Sequence, residues 1–175
     1  KDSMYVTKRA VAINLVDNDS VYIHGKKLMV TGKPPFRIIR AFNNARFYKT
    51  DLSGKCDSIH SSQATNLTQL LGNPVLWNME TQMTGDVMHL IGNKATQKLD
   101  SLKILNNTFI ISKDTIGTGY NQVKGLNLYG KFKDGKIHET DIIKNTEVIY
   151  YLRNDDNELI GINKNVSSRI NIIFD

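Results

Sequence analysis

The sequence has little of several residue types on which common folds and sites depend. Its 175 residues include one cysteine, three prolines, six alanines and four glutamates. The lone Cys56 excludes an internal disulfide, a CxxC redox pair and a cysteine-ligated zinc cluster. The scarcity of alanine and glutamate, both strong helix formers, argues against a helical fold. No apolar run approaches the ~20 residues of a membrane-spanning helix.

The residues that are abundant favour strands and turns. The chain has 19 isoleucines, 10 valines and 13 threonines, whose β-branched side chains pack well on a pleated sheet. Its 18 asparagines and 12 glycines supply turn positions that tolerate positive φ. Apolar residues alternate with polar ones, and residues 64–71 are the one candidate helix. We therefore predict a single all-β domain over residues 1–175.

Internal repetition indicates how the strands are organised. Asp134-Gly135 predicts a two-residue hairpin. An asparagine followed by an apolar strand recurs at Asn44, Asn73, Asn107 and Asn145, and an acidic or small residue leading into alternation recurs between these phrases. Such strand–turn–strand units cannot bury an apolar face alone, so they are expected to stack around a shared interior with open end strands. An ordinary β-sandwich is the alternative.

Three segments resemble a known family. They are Asn73-Pro-Val-Leu-Trp, Gln82-Met-Thr-Gly-Asp-Val and residues 119–132. In their order they resemble the OstA-like (LptA-like) periplasmic lipopolysaccharide-transport and organic-solvent-tolerance proteins of Bacteroidetes-type bacteria, over residues 14–172. The resemblance implies a β-taco or β-jellyroll of two facing antiparallel sheets, which open along one side into an apolar groove for the acyl chains of lipid A.

The alternation indicates which residues would line that groove. In each repeat we assign one face of the strands to the interior. The predicted lipid-groove residues are Val21, Ile23, Phe47, Ile59, Val75, Trp77, Met88, Leu90, Leu102, Ile104, Phe109, Ile111, Leu126 and Leu128. A stripe of this kind is also what an ordinary core requires, and a lipid carrier differs only in leaving part of it uncovered.

Positive charge is concentrated near the start of the chain. Residues 1–50 carry ten Lys/Arg and three Asp, so their net charge is +7, whereas the remainder sums to −1. Basic side chains at the edge of an apolar groove suit phosphate or acidic sugar headgroups. The predicted headgroup-binding residues are Lys33, Arg37, Arg40, Arg46 and Lys49. A solvated face that keeps the domain soluble is the competing interpretation.

The remaining polar residues do not form a catalytic pattern. Cys56 precedes Asp57, which raises a thiol pKa, the wrong direction for a nucleophile. His60 and His89 occupy equivalent repeat positions, but alternation places them outward beside Lys103. No nucleotide-binding, serine-hydrolase or zinc-protease motif occurs. We therefore predict a protein that is not an enzyme and has no cofactor and no metal.

The predicted function is transport of lipopolysaccharide or lipid A across the periplasm to the outer membrane. The expected partners are that lipid, other lipopolysaccharide-transport proteins bound through edge strands, and further copies stacked head to tail. A structural stacking connector and a basic nucleic-acid-binding β-domain are the alternatives, although no nucleic acid is expected. Because the chain opens at Lys1 and not at Met, we expect it to be a portion of a longer protein.

Overall fold

The computed structural model describes residues 2–16, 19–96, 98–114 and 116–173. Within these ranges the chain is all-β, with antiparallel strands and no helix, so it contains no helix that could cross a membrane. The strands are β1 (Ser3–Val16), β2 (Asp19–Thr31), β3 (Ile38–Lys49), β4 (Leu52–Ser62), β5 (Leu67–Leu71), β6 (Val75–Asn78), β7 (Thr81–Thr84), β8 (Val87–Gly92), β9 (Leu99–Leu105), β10 (Thr108–Lys113), β11 (Tyr120–Gly125), β12 (Asn127–Lys133), β13 (Lys136–Arg153) and β14 (Leu159–Ile173).

The strands form one continuous sheet that folds back on itself as two facing layers. Strand β4 shows the arrangement, because residues 58–62 pair with β5 whereas residues 52–55 pair with β6. Layer 1 consists of residues 3–7, 27–31, 38–42, 58–62, β5, β8, β9, β12, 136–143 and 169–173. Layer 2 consists of residues 10–16, 19–24, 45–49, 52–55, β6, β7, β10, β11, 146–153 and 159–167. This confirms the predicted β-taco or jellyroll class.

The two layers meet along one side, which we call the corner. The four asparagines that begin the repeated phrase all lie there in the left-handed conformation, with φ of 61° at Asn44, 50° at Asn73, 50° at Asn107 and 52° at Asn145. Asparagine tolerates this conformation better than most residues because its short side chain bonds locally. The sequence repeat is therefore the repeated change of chain direction from layer 1 to layer 2.

The opposite side, which we call the mouth, carries the turns. Asp134 and Gly135 have φ of 52° and 80° and join Lys133 to Lys136, so the predicted two-residue hairpin is confirmed with the positive φ values of a type I′ turn. The predicted helix at residues 64–71 is wrong: residues 63–66 form a mouth turn and β5 follows. Strand β5 pairs with β4 on one side and β8 on the other, and this pairing outweighs a weak local helix propensity.

The interior between the layers is packed through its centre. Fully buried apolar side chains from both layers meet there: Ala41, Ala45, Leu70, Leu76, Met83, Met88, Leu102, Ile104, Leu128 and Ile142. Burying a large aliphatic side chain contributes about 1.5–3 kcal/mol, so this block holds the layers together. Within the described residues, β1 pairs only with β2 and β14 only with β13, which makes them the edge strands.

Candidate functional site

The packing is incomplete towards the amino-terminal end of the interior. A cavity of about 220 Å³, which we call the N-terminal cavity, lies between the layers and reaches the mouth. Its apolar walls come from both layers and consist of Val21, Ile23, Ile39, Phe47, Leu52, Ile59, Leu90 and Leu99. The cavity can hold a narrow apolar group, and its volume is below the roughly 300–1,000 Å³ of typical small-molecule sites.

The position of the Phe47 ring in the cavity wall requires a glycine at residue 54. Phe47 and Gly54 are cross-strand partners on β3 and β4. A Cβ built on Gly54 would lie 2.4 Å from a carbon of the Phe47 ring. The ring therefore lies over a position that only glycine leaves open, and the aromatic side chain covers the buried glycine backbone.

The cavity has a polar rim at the mouth. Ser61 and Thr68 join their hydroxyl groups across β4 and β5 at 2.7 Å. The Oε1 atom of Gln63 is buried and has no hydrogen-bond partner among the described residues. A buried carbonyl oxygen of this kind is available to a donor from a ligand or a water. The rim can thus orient a polar group while the walls take an apolar one.

The charges of the rim are largely compensated. The Nζ atom of Lys49 lies 2.8 Å from Asp51 and 3.6 Å from Asp19, and that of Lys33 lies 3.3 Å from Asp2. Arg37 lines both the N-terminal cavity and a neighbouring cavity of about 540 Å³ beside β1. Within the described part of the chain it has no ion-pair partner. Arg37 is therefore the rim cation that remains available to an anion.

The mouth is tied across its centre by the hairpin that joins β12 and β13. The side-chain amide of the buried Asn78 in layer 2 donates to the carbonyl oxygen of Asp51 at 2.9 Å and to that of Gly135 at 3.5 Å. Gly135 belongs to the tip of that layer 1 hairpin. The hairpin thus separates the N-terminal cavity from the opening at the other end of the interior.

That second opening, which we call the C-terminal cavity, has a volume of about 670 Å³. Its apolar lining includes Ile110, Val123, Val148, Tyr150, Leu152 and Ile172. Arg153 forms an ion pair with the buried Asp114 beside it, and a hydrogen bond from this guanidinium lowers the pKa of the carboxyl group. Because Arg153 is paired with Asp114, its charge is compensated and is not available to a ligand in the C-terminal cavity.

The structure brings nine of the predicted groove residues to the interior. They are Val21, Ile23, Phe47, Ile59, Met88, Leu90, Leu102, Ile104 and Leu128. Five of these line the N-terminal cavity: Val21, Ile23, Phe47, Ile59 and Leu90. The other four belong to the packed centre and are absent from its lining. Only this part of the stripe, on β2, β3, β4 and β8, therefore borders the N-terminal cavity.

The other five predicted residues lie elsewhere. Val75, Trp77, Phe109 and Ile111 belong to the outer face of layer 2, since their neighbours Leu76 and Ile110 are the buried ones. The Nε1–H group of Trp77 donates a hydrogen bond to Oε1 of Gln82 at 2.9 Å. Leu126 lies at the corner, where its backbone contacts residues 143 and 144. In β6 and β10 the corner residues shift the alternation by one position, so the residues predicted to face the groove lie on the outer face.

The predicted headgroup residues are also divided. Arg37, Lys33 and Lys49 lie at the mouth, whereas Arg40 and Arg46 point outward from β3. Arg40 stands opposite His60 and Arg46 opposite Lys55. The rim residues Ser61, Gln63 and Thr68 were missed by sequence reasoning. Their one signal is a polar stretch between two strands, which is also typical of any surface turn.

The titratable residues outside the groove include Cys56, His60 and His89. Burial raises the pKa of the Cys56 thiol to about 11. His60 and His89 lie on the outer face of layer 1 with Gln69 between them, and Nε2 of His89 lies 3.1 Å from the Gln69 amide. Burial lowers both histidine pKa values, with Arg40 and Lys103 as further causes. The described residues contain no cluster of three acidic, histidine or cysteine side chains that could hold a metal ion.

No protein-family model matches this chain, and no curated protein matches it significantly. The groove itself offers two apolar openings, a polar rim and Arg37, which has no ion-pair partner among the described residues.

Proposed function

We propose that this domain is a non-catalytic carrier of lipopolysaccharide or lipid A in the periplasm, which shields acyl chains between its two layers on the way to the outer membrane. The observation that carries the proposal is the N-terminal cavity. Its apolar walls end at the mouth beside Arg37, whose charge has no partner among the described residues. Acyl chains suit such walls, and phosphate suits a guanidinium.

The edge strands support the partner side of the proposal. Strands β1 and β14 each leave one side without a strand neighbour in the described chain. Unpaired strand edges accept another strand, so a further copy or another transport protein would extend the groove at either end. Transfer between such neighbours needs no chemistry within this domain.

The test is binding of purified lipid A, measured by displacement of a fluorescent fatty acid at low and at high salt. Binding through acyl chains is expected to survive high salt. Val21→Asp places a carboxylate on the cavity wall and is expected to weaken binding at least tenfold. Tyr5→Asp makes the same charge change on the exposed outer face of layer 1 and is the matched control.

Circular dichroism must show that both variants remain folded. Unchanged lipid A binding by a folded Val21→Asp variant would contradict the proposal. Oligonucleotide binding that is lost at high salt, without lipid A binding, would favour a nucleic-acid-binding domain instead. Binding of neither would leave the stacking connector.

A further inference from the structure

The outer face of layer 2 carries an organised surface that the groove does not explain. Two rows of cross-strand partners run side by side over β1, β2, β3, β4 and β6. The first, which we call the tyrosine row, is Ile13, Tyr22, Tyr48, Ser53 and Trp77. The second, which we call the basic row, is Val11, His24, Arg46, Lys55 and Val75. Together the rows form a patch of aromatic, aliphatic and basic side chains.

The basic row places like charges together. Arg46 and Lys55 are direct cross-strand partners, an arrangement that destabilises a sheet. The ten positions of the two rows contain no acidic residue, and neither cation forms an ion pair among the described residues. The Nζ atom of Lys55 lies 5.6 Å from the centre of the Trp77 ring, which offsets part of the repulsion. The charge of this patch therefore remains open to an anionic partner.

The same face exposes large apolar side chains. Val11 is 54%, Ile13 64% and Leu15 76% exposed on β1, and Tyr48 is 57% exposed on β3. The rings of Tyr22 and Tyr48 lie 6.4 Å apart. Isolated exposed apolar residues are common, but a contiguous group beside basic residues marks an interaction surface. The partner must accept aliphatic groups, tyrosine rings and positive charge at once.

We propose that this patch docks the domain on the surface of a bilayer that contains anionic phospholipid. In this arrangement Val11, Ile13 and Leu15 enter the acyl boundary, and the tyrosine rings lie at the level of the headgroups. Arg46 and Lys55 face the lipid phosphates. A single-stranded nucleic acid would use the rings and the cations but would leave the three aliphatic side chains of β1 in water.

Docking through this face leaves the groove unobstructed, because the two rows point away from the interior. Docking on a bilayer does not require the proposed carrier function. The Val21→Asp variant tests the groove, whereas variants of the patch residues test bilayer docking. Either proposal can therefore be contradicted without the other.

The experiment is sedimentation of the purified chain with vesicles of phosphatidylethanolamine and phosphatidylglycerol, compared with vesicles of phosphatidylcholine alone. Binding to the anionic vesicles only is expected. Since each basic residue near such a surface strengthens binding roughly fivefold, Arg46→Gln is expected to weaken it about fivefold and the Arg46→Gln/Lys55→Gln pair about 25-fold. Ile13→Ser/Leu15→Ser is expected to weaken binding several-fold at every salt concentration.

Lys103→Gln/Tyr129→Ser is the matched control, because it removes a basic and a tyrosine side chain that are partners on the outer face of layer 1. Its vesicle binding is expected to equal that of the parent chain. Equal loss in this control, or equal binding to phosphatidylcholine, would overturn the proposal. So would oligonucleotide binding or dimer formation that depends on the patch residues while no vesicle binding occurs.

Discussion

The left-handed backbone at the corner leads to a prediction about stability that does not involve any ligand. Lys144 lies in the corner of β13 with φ of 63°, in a bulge where residues 144 and 145 face the single residue 168 of β14. Its side chain is exposed and makes no hydrogen bond or ion pair among the described residues. Replacing Lys144 with glycine therefore changes the backbone preference of this position and removes no hydrogen bond or ion pair of the side chain among the described residues.

The magnitude follows from two opposing terms. The left-handed conformation costs an ordinary L-residue roughly 1–2 kcal/mol, and glycine is free of this cost. Glycine loses more backbone entropy on folding, by roughly 0.5–1 kcal/mol. Lys144→Gly is thus expected to stabilise the fold by about 0.5–1 kcal/mol, which raises Tm by about 2–4 °C for each kcal/mol in a chain of this size.

The assay is urea unfolding followed by circular dichroism and by the fluorescence of Trp77, the only tryptophan in the sequence. Lys103→Gly provides the comparison, because Lys103 lies in the middle of β9 with an ordinary strand conformation. That change is expected to destabilise the fold by roughly 0.5–1 kcal/mol. The reasoning would be refuted if Lys144→Gly lowered the free energy of unfolding as much as Lys103→Gly does.

Two further predictions concern the cavity wall and the response to acid. Gly54→Ala forces the Phe47 ring aside and is expected to destabilise the fold by about 1–3 kcal/mol and to weaken lipid A binding, so unchanged values of both would contradict the packing of Phe47 over Gly54. Hydrogen bonds from Lys124 and Lys164 lower the pKa of Glu147 from 4.5 to about 2. The resulting stabilisation is present above pH 4.5 and is lost as the pH falls towards about 2. Glu147→Gln is expected to flatten this part of the curve of unfolding free energy against pH, and parallel curves would argue against the ion pairs.

The sequence predicts the class of the fold and the places where the chain changes direction. Alternation and β-branched residues favour strands, and Asp134-Gly135 has the residues that a type I′ turn requires. The repeated asparagines mark the corner because few other residues adopt positive φ readily. In layer 1 the predicted residues Ile59, Met88, Leu90, Leu102, Ile104 and Leu128 face the interior, whereas Leu126 lies at the corner.

In β6 and β10 of layer 2, counting along the sequence selects the wrong face. Asn107 is left-handed, and the first and third residues after it, Thr108 and Ile110, are the buried ones. Counting the second and fourth residues selects Phe109 and Ile111, on the opposite face. A shift of one residue exchanges the two faces of a strand, so the conformation at the corner must be known before the count begins.

The rim charges required the three-dimensional structure for a different reason. Lys49 is compensated by Asp19, which is 30 residues away in sequence, and by Asp51 on the next turn. Charge counted along residues 1–50 gives an excess that does not reveal these pairs. Among the described residues Arg37 lacks the acidic partner that Lys33 and Lys49 have, and a linear pattern contains no sign of this difference.

The corner has a mechanical consequence for the mouth. A strand such as β8, Val87–Gly92, extends about 20 Å from the corner at the usual rise of about 3.3 Å per residue. A rotation of one layer by about 10° around the corner would therefore move the mouth by about 3.5 Å, with much smaller displacements deep in the interior. Among the described residues, the hydrogen bond from Asn78 to the β12–β13 hairpin would resist this rotation near the centre of the mouth. Slight changes of backbone conformation at the corner asparagines would therefore change the width of the mouth.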